Sequence, residues 1–168
     1  MEASDGFPAV ARVDARLLVL GSLPGQRSIA AQQYYAHPQN AFWPIMREVF
    51  GIEGDYDARC RQLVNQQIAL WDVLASSVRP GSMDSDIRMD SARHNDFATF
   101  FATHIKIEVV AFNGKKAEQL FRRFVGRDVL PRTSRCIGLP STSPAYAAMP
   151  FSGKLSVWRA ALLGSSGN

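Results

Sequence analysis

The feature that most constrains the fold is the alternation of short apolar runs with amphipathic helical periods. Residues 16–21 contain the run Leu17-Leu18-Val19-Leu20, which ends in a Gly/Pro loop and predicts a buried strand. Three further apolar runs predict strands at residues 67–73, 107–112 and 134–139. Because strands alternate with helices, we predict an α/β fold, a three-layer α/β/α sandwich around a four-stranded, mostly parallel sheet.

Four segments place apolar residues at the i, i+3, i+4 spacing of a helix that buries one face. The four stripes are Phe42, Ile45, Met46, Val49 and Phe50; Phe97, Phe100 and Phe101; Ala117, Leu120, Phe121 and Phe124; and Leu155, Trp158 and Leu162. We expect these side chains to form the core on the two faces of the sheet.

The length of 168 residues fits a single domain, which we expect to span residues 1–168. Residues 1–13 are expected to form an N-terminal arm that Phe7-Pro8 pins to the body, and residues 164–168 a frayed tail. Residues 75–90 form the longest polar connection. Neither an internal repeat nor a domain linker is visible in the sequence.

Composition argues against several classes of protein. No apolar run approaches the roughly 18–20 residues that span a membrane, and the N-terminus lacks signal-peptide features, so we expect a cytosolic protein. Two distant cysteines, Cys60 and Cys136, argue against a zinc site, an iron–sulfur cluster or a disulfide framework. We therefore expect neither metal nor cofactor. The net charge of +4, in which arginine outnumbers lysine, is compatible with a polyanionic partner.

The segments that follow the predicted strands should converge on one cleft, because ligands of open α/β sheets bind at the carboxyl ends of the strands. Small, hydroxylic and amide residues dominate these segments. They are Gly21–Gly25 after the first strand, Ser76, Ser77 and Arg79 after the second, Asn113–Lys115 after the third, and Pro140–Pro144 after the fourth.

Several charged residues near these segments allow more than one interpretation. Asn113-Gly114-Lys115-Lys116 lacks the earlier glycine and the Ser or Thr of a nucleotide-binding loop, which leaves a helix N-terminus that could hold one phosphate or a plain turn. Arg79 could contact a phosphate or be a surface charge. Asp84 and Asp86 are expected in a solvated loop.

The segment Tyr34-Tyr35-Ala36-His37-Pro38-Gln39-Asn40 precedes the first amphipathic helix. Taken alone, Asn40 is a helix N-cap, and Pro44 falls in the first turn, where its missing N–H costs least. His37 is held in an extended conformation by Pro38 and is expected to be structural.

Three motifs in this order resemble the uracil-DNA glycosylase superfamily, over about residues 14–163. They are Gly21-Ser22-Leu23-Pro24-Gly25, the stretch from Tyr34 to Trp43 with its His-Pro-Gln-Asn, and Leu139-Pro140-Ser141-Thr142-Ser143-Pro144-Ala145. The first and last look most similar to the hypoxanthine-DNA glycosylase (deoxyinosine glycosylase) branch. The mismatch-specific uracil and thymine glycosylases share a similar His-Pro-x-Asn-x-Phe-Trp stretch.

The resemblance implies which residue carries catalysis. Most members have Asp or Asn at the third position of the first motif, where it positions the attacking water, but here that residue is Leu23. In the hypoxanthine branch the catalytic role passes to the Asn of the second motif, which is Asn40. An amide is not a base at neutral pH, so Asn40 can only orient the water.

The resemblance also implies the residues that contact DNA. Tyr35 would stack on the flipped base, Asn113 would bind its polar edge, and Ser22 and Leu23 would complete the base pocket. Gly25, His37 and Lys115 would also contact DNA, and Ser141, Thr142, Ser143 and Pro144 would form the loop that enters the minor groove. Either Tyr146 or Met149 would be the wedge that fills the gap in the duplex.

The expected activity is excision of a deaminated base, chiefly hypoxanthine, from damaged DNA by a monomer, leaving an abasic site. A lyase step is not expected, because Lys115 is the one lysine in the motif loops. Three alternatives stay open: a uracil- or mismatch-directed glycosylase, a damage-binding domain that has lost catalysis with Leu23, and an unrelated small-molecule α/β enzyme.

Overall fold

The central element of the fold is a sheet of four parallel strands, accompanied by a small antiparallel sheet of three. The computed structural model describes residues 3–79 and 82–164. The strands are β1 (Ala3–Asp5), β2 (Leu17–Gly21), β3 (Ile68–Asp72), β4 (Leu74–Val78), β5 (Arg93–His94), β6 (Val109–Asn113) and β7 (Arg135–Leu139). The parallel sheet has the order β3-β2-β6-β7 and the antiparallel sheet the order β1-β4-β5.

Six helices surround the parallel sheet. They are α1 (Gln26–Ala31), α2 (Phe42–Phe50), α3 (Tyr56–Asn65), α4 (Phe97–Thr103), α5 (Lys115–Phe124) and α6 (Phe151–Gly164). The four helices predicted from apolar stripes are present. Helices α1 and α3 were not predicted, because each has a single fully buried residue, Ser28 and Leu63, and so leaves no apolar stripe.

The central strand β2 explains why the fold has three layers. All five of its residues are buried, and it pairs in parallel with β3 on one side and β6 on the other. Leu18 and Leu20 pack into one apolar cluster, whereas Leu17 and Val19 pack into a second. Because successive side chains of a strand point to opposite faces, the two clusters are the two sides of a sandwich. The predicted fold class is confirmed.

Each side of the sheet is covered by its own set of helices. Phe97, Phe101 and Phe121 bring α4 and α5 into the first cluster. Phe42 and Trp158 bring α2 and α6 into the second, and their rings meet edge to face with centroids 6.0 Å apart. The aromatic residues of the predicted stripes are therefore core residues.

The N-terminal arm is attached to the body at several points. Strand β1 pairs with β4, and Val10 forms an isolated bridge with Leu70. The Phe7 ring meets the Tyr34 ring edge to face, and the Phe7 carbonyl accepts a hydrogen bond from Trp71 Nε1 at 3.2 Å. These contacts lie at the position where Phe7-Pro8 was expected to pin the arm.

The expectation that residues 75–90 form a polar connection is wrong in part. They begin within β4, which pairs with both β1 and β5, and continue into short 3-10 turns at Asp84–Asp86 and Met89–Ser91. The strand was missed because its two serines and single alanine give no apolar alternation, although Ser77 is fully buried. Residues 80 and 81 lie outside the described part.

The C-terminal helix includes Gly164, the first residue of the expected frayed tail. The remainder of that tail, residues 165–168, lies outside the described residues. Among the helices that the structure describes, none has the length and apolar character needed to cross a membrane.

We expect Leu18→Ala to destabilise the fold by about 2–5 kcal/mol, because Leu18 is 0% exposed in a strand flanked on both edges. Urea unfolding followed by circular dichroism measures the change. Ile105, which is 67% exposed, supplies the control Ile105→Ala, expected to change the free energy of unfolding by less than about 0.5 kcal/mol. Equal effects of the two substitutions would contradict the assignment of β2 as the centre of the core.

Candidate active site

The carboxyl ends of the parallel strands open into one cleft of about 1120 Å³. Its walls are the segments that follow β2, β6 and β7, the last residue of β3, and residues from Tyr34 to Asn40. The convergence expected from the sequence is therefore confirmed. One expected wall was wrong: the cleft is lined by Asp72 and residues 82–85 in place of Ser76, Ser77 and Arg79.

Arg79 is neither a surface charge nor placed to reach a phosphate. Its side chain is 3% exposed, and its guanidinium donates hydrogen bonds to the carbonyl oxygens of Leu23 and Pro24. The loop after β2 turns two carbonyl groups toward this buried cation, and the Arg79 Nε has no hydrogen-bond partner among the described residues. No sequence pattern indicates this role, because the acceptors are backbone atoms more than 50 positions away.

The same loop is held at two further points by residues 82–84. The Ser22 hydroxyl donates a hydrogen bond to the Asp84 carboxylate, and the Gln26 backbone N–H donates to Ser82 Oγ at 2.9 Å. Asp84 is thus a half-buried partner of the first motif, and the expectation that it lies in a solvated loop is wrong. Its bond to Ser22 fixes a hydroxyl that was expected to face the base.

Leu23 turns its side chain into the core. It is 6% exposed and belongs to the apolar cluster that contains Leu20 and Phe97, while part of it still lines the cleft. The residue at this position therefore contributes apolar surface to the pocket and has no atom that could orient water.

Asp72, the last residue of β3, is a functional candidate that the sequence reasoning missed. It is 3% exposed, it lines the cleft, and its Oδ2 has no hydrogen-bond partner among the described residues. Gly21 lies opposite it in the register, and a Cβ at Gly21 would come within 2.5 Å of Asp72 Oδ1. Glycine at this position is what leaves room for the carboxyl group.

The surroundings of Asp72 favour its neutral form. Burial and, to a lesser extent, the negative charge of Asp84 raise its pKa, the positive charge of Arg79 lowers it, and together they bring the pKa to about 7. A carboxyl group near its midpoint at neutral pH can donate or accept a hydrogen bond. The signal that could have revealed it is a carboxylate at the carboxyl end of a buried parallel strand.

Tyr35 combines a strained backbone with a buried hydroxyl group. Its φ is +58°, a left-handed conformation that costs a non-glycine residue roughly 1–3 kcal/mol. Its ring packs on that of Phe42 with centroids 4.4 Å apart, and its hydroxyl has no hydrogen-bond partner among the described residues. Burial and the charge of Asp72 raise the pKa of this phenol. Tyr35 and Asp72 therefore offer two unpaired polar atoms at the cleft floor.

Asn113 and Thr142 form a buried pair at the carboxyl ends of β6 and β7. Asn113 Oδ1 accepts the Thr142 backbone N–H at 2.9 Å, and Asn113 Nδ2 donates to Thr142 Oγ1 at 2.9 Å. Because a backbone N–H can only donate, the orientation of the Asn113 amide is fixed. Among the described residues these two bonds leave one Nδ2 hydrogen and one Oδ1 lone pair unused, and the Asn113 side chain lies close enough to the Tyr35 hydroxyl to lower the pKa of that phenol.

Thr142, one of the residues expected to contact DNA, is a buried part of the cleft wall. It is 1% exposed, and its carbonyl oxygen accepts the Ala41 backbone N–H at 2.9 Å. Its hydrogen bonds therefore join the segments that carry Asn113 and Asn40. Gly114 permits this close approach, with φ of +97° and Ser141 Cβ only 3.1 Å from where a Cβ would be.

Asn40 lies in the cleft wall, directly before Ala41, which is the N-cap of α2. The Asn40 Oδ1 accepts the backbone N–H of Phe42, the first residue of α2, at 2.9 Å, so the expectation that Asn40 is itself the N-cap is wrong by one residue. The second lone pair of this oxygen and the two amide hydrogens make no bond within the described residues. His37, three residues earlier, accepts the Gln39 N–H at its Nδ1 and the Asn40 N–H at its carbonyl oxygen, so it shapes this turn.

Lys154 of α6 holds the loop after β7 in place. No pattern in the sequence predicted this role. Lys154 is 5% exposed, and its Nζ donates to the Ser143 carbonyl oxygen at 3.1 Å and lies 5.4 Å from the Tyr146 ring centroid. Burial lowers the pKa of this amine. Of the two wedge candidates, Tyr146 is exposed and Met149 is half-buried.

The remaining residues expected at the DNA interface lie around the mouth of the cleft. They are Gly25, Lys115, Ser141, Ser143 and Pro144, of which Lys115 is fully exposed. Within residues 3–79 and 82–164, no three His, Cys, Asp or Glu side chains gather closely enough to hold a metal ion.

Comparison with known proteins identifies the family. A sequence model of the uracil DNA glycosylase superfamily matches residues 7–162. The chain belongs to this superfamily.

Two curated relatives are named hypoxanthine DNA glycosylase, one from Methanosarcina acetivorans and one from Methanosarcina barkeri. They are 38% and 36% identical over 115 residues, which is 67% of this chain and 72% of each relative. A solution NMR structure of a candidate uracil DNA glycosylase from M. acetivorans is 32% identical, with a TM-score of 0.79 over 99% of this chain and 100% of that chain. The resemblance stated from the three motifs is confirmed, and an unrelated small-molecule enzyme is excluded.

The pKa of Asp72 can be measured without a substrate and therefore tests the electrostatics of the cleft. We expect its carboxyl carbon to titrate near pH 7 in NMR spectra and Asp72→Asn to remove this titration. Because the pKa is about 7 in the folded protein but about 4 in an unfolded chain, protonation stabilises the fold at low pH. This stabilisation is lost as the pH rises through about 7.

The stability of the wild-type protein should therefore fall between about pH 4 and pH 7 relative to that of Asp72→Asn. Asp90, exposed in a 3-10 turn, provides the control Asp90→Asn, which should leave the pH dependence unchanged. A carboxyl that titrates near pH 4 at position 72 would contradict the assignment.

Proposed function

We propose that this chain is a monofunctional DNA glycosylase that hydrolyses the N-glycosidic bond of a deaminated base, chiefly hypoxanthine, and leaves an abasic site in DNA. The observation that carries this proposal is the contrast between Leu23 and Asn40, the two positions at which family members have their catalytic residue. Leu23, at the usual catalytic position, is buried in the core, whereas the Asn40 amide has unused polar atoms in the cleft wall. Family membership and the names of the two relatives support it.

In this reaction a water oxygen bonds to C1′ of the sugar while the C1′–N9 bond breaks and its electron pair leaves with the purine. The proton released by water ends on the purine or in solvent. Asn40 orients this water through the lone pair that the Phe42 N–H leaves free. Because an amide has no basic group at neutral pH, its contribution is alignment, and the departing base must be stabilised by other groups.

The cleft floor provides groups suited to the departing base. A neutral Asp72 carboxyl can donate to the O6 carbonyl of hypoxanthine and accept its N1–H, which is the donor–acceptor pattern of a lactam edge. The unused hydrogen and lone pair of Asn113 offer the same pattern. Tyr35 supplies an aromatic surface, and stacking on such a ring contributes roughly 1–3 kcal/mol per base.

A uracil-directed activity is the second candidate, and one observation favours it. Uracil has a lactam edge with the same donor–acceptor pattern, and the solved neighbour is a candidate uracil DNA glycosylase. A lyase step does not belong to the proposal: of the two lysines near the cleft, Lys154 bonds the Ser143 carbonyl oxygen beneath the loop, and Lys115 lies exposed at the edge of the cleft. Metal-independent action, a monomeric state and a cytosolic location stay predictions.

A panel of lesions tests the substrate. Duplexes with one deoxyinosine, deoxyuridine or deoxyxanthosine are incubated with the protein, and abasic sites are then cleaved with alkali. We expect the fastest scission at deoxyinosine, with no loss after addition of a chelator. Scission confined to deoxyuridine would establish that the protein is a uracil-directed glycosylase. Lesion-specific binding without scission would establish a damage-binding domain.

Asn40→Ala should lower the single-turnover excision rate by on the order of 10²–10³-fold while DNA affinity stays nearly unchanged. The substitution also removes the hydrogen bond from the Phe42 N–H at the start of α2, which costs about 0.5–1.5 kcal/mol of stability. Asn40→Ser is the matched control, because a serine oxygen can still accept the Phe42 N–H but presents no amide to the water. We expect Asn40→Ser to recover the stability that Asn40→Ala loses but not the excision rate. Full activity in either variant would refute the assigned mechanism.

A further inference from the structure

The positive charge of this protein is concentrated in one segment. Residues 122–135 contain five arginines and a single acidic residue, Asp128, for a net charge of +4. This equals the net charge of the whole chain, so the other residues carry fourteen basic and fourteen acidic side chains. We call the five arginines the arginine surface; they are Arg122, Arg123, Arg127, Arg132 and Arg135.

The arginine surface lies at the opposite end of the sheet from the cleft. Its segment connects the end of α5 to Arg135, the first residue of β7. The cleft begins at Gly138, near the end of β7. Three residues of extended strand separate Arg135 from Gly138 by roughly 10 Å. Arg122 comes nearest to the cleft, because its partner Glu118 lines it, whereas the other four arginines have no partner in the cleft lining among the described residues.

The segment is held firmly enough to present its charges in fixed positions. Phe124, Val125, Val129 and Leu130 pack against the apolar core, whereas all five arginines are exposed. The Ser134 hydroxyl donates to the Ile107 carbonyl oxygen, which fastens the segment beside β6. Apolar anchors thus alternate with outward-facing guanidinium groups.

Most of these charges lack an acidic partner. Arg122 pairs with Glu118 at 2.7 Å, and Arg123 lies over the Phe124 ring at 5.4 Å. Arg127, Arg132 and Arg135 make no ion pair among the described residues. The charges of Arg122 and Arg127 both oppose the raised pKa of the Cys136 thiol, so these two side chains are close to the start of β7. Unpaired guanidinium groups this close together repel one another unless an anion lies between them.

We propose that the arginine surface binds the phosphate backbone of a second DNA segment while the cleft engages the first. Guanidinium groups bind phosphate with two parallel hydrogen bonds, and DNA carries one charge per about 1.7 Å of helix axis, which suits several arginines in a row. A protein partner fits less well, because residues 122–135 expose no large apolar side chain that could form the centre of an interface. Contact with two DNA segments would let the enzyme transfer between them during its search for lesions.

The test compares two triple variants that lose equal charge. The surface variant is Arg127→Gln, Arg132→Gln and Arg135→Gln. The control variant is Arg47→Gln, Arg61→Gln and Arg159→Gln, whose arginines are exposed on α2, α3 and α6. Affinity for a long, lesion-free duplex is measured between 50 and 200 mM salt, on the order of the range where phosphate contacts are lost. Single-turnover excision from a short duplex is measured in parallel.

We expect the surface variant to bind lesion-free duplex on the order of 10-fold more weakly at low salt, with the salt slope reduced by about 3. The control variant should change by less than about twofold, and both should excise the base from the short duplex at the wild-type rate. Equal weakening by the two variants would show a net-charge effect and overturn the proposal, as would no weakening or slower excision by the surface variant. Because binding is measured without a lesion, its outcome does not depend on the proposed substrate.

Discussion

The hydrogen bonds of Thr142 hold the candidate site together. One residue bonds Asn113 through its side chain and its backbone N–H, and it bonds Ala41 through its carbonyl oxygen. Three segments that are far apart in the sequence thereby become a single wall, with Asn40 and Asn113 at fixed positions along it. Because Thr142 is 1% exposed, these bonds are shielded from competing water and have more weight than surface bonds would. The positions of Asn40 and Asn113 relative to one another therefore depend on this buried residue.

The second constraint on the site is the burial of a carboxyl group beside a glycine. Asp72 lies at the end of β3, one of its oxygens has no hydrogen-bond partner among the described residues, and the missing Cβ of Gly21 provides its space. An ionised carboxylate in this position would be costly, whereas a neutral acid is tolerated and can still donate a proton to a hydrogen bond. Arg79 and Asp84 lie within electrostatic range and hold the first motif in place, so the same buried charges both shape the loop and tune the acid.

The sequence predicted what depends on local pattern and missed what depends on distant partners. The run Leu17–Leu20 predicted a strand because both of its faces are buried. The stripe that begins at Phe42 predicted a helix because its apolar residues recur on the buried face. Arg79 was misjudged because its acceptors are backbone oxygens that no periodicity reveals. Asp72 is visible in the sequence at the end of an apolar run, but the space for its carboxyl group depends on Gly21, which lies opposite it in the neighbouring strand. The motifs located the site, whereas the roles of buried polar residues required the fold.

The pairing of β2 also bears on how the chain acquires its cleft. Leu17 pairs with Ile68 and Val109, which follow it by 51 and 92 positions. During synthesis β2 therefore emerges early as an apolar segment without neighbours, and its second neighbour arrives after most of the chain has been made. Parallel sheets with such distant pairings fold slowly and expose aggregation-prone edges in the meantime. A fragment that ends before β6 lacks the cleft walls that follow β6 and β7. It therefore cannot enclose a nucleotide until both strands have been synthesised.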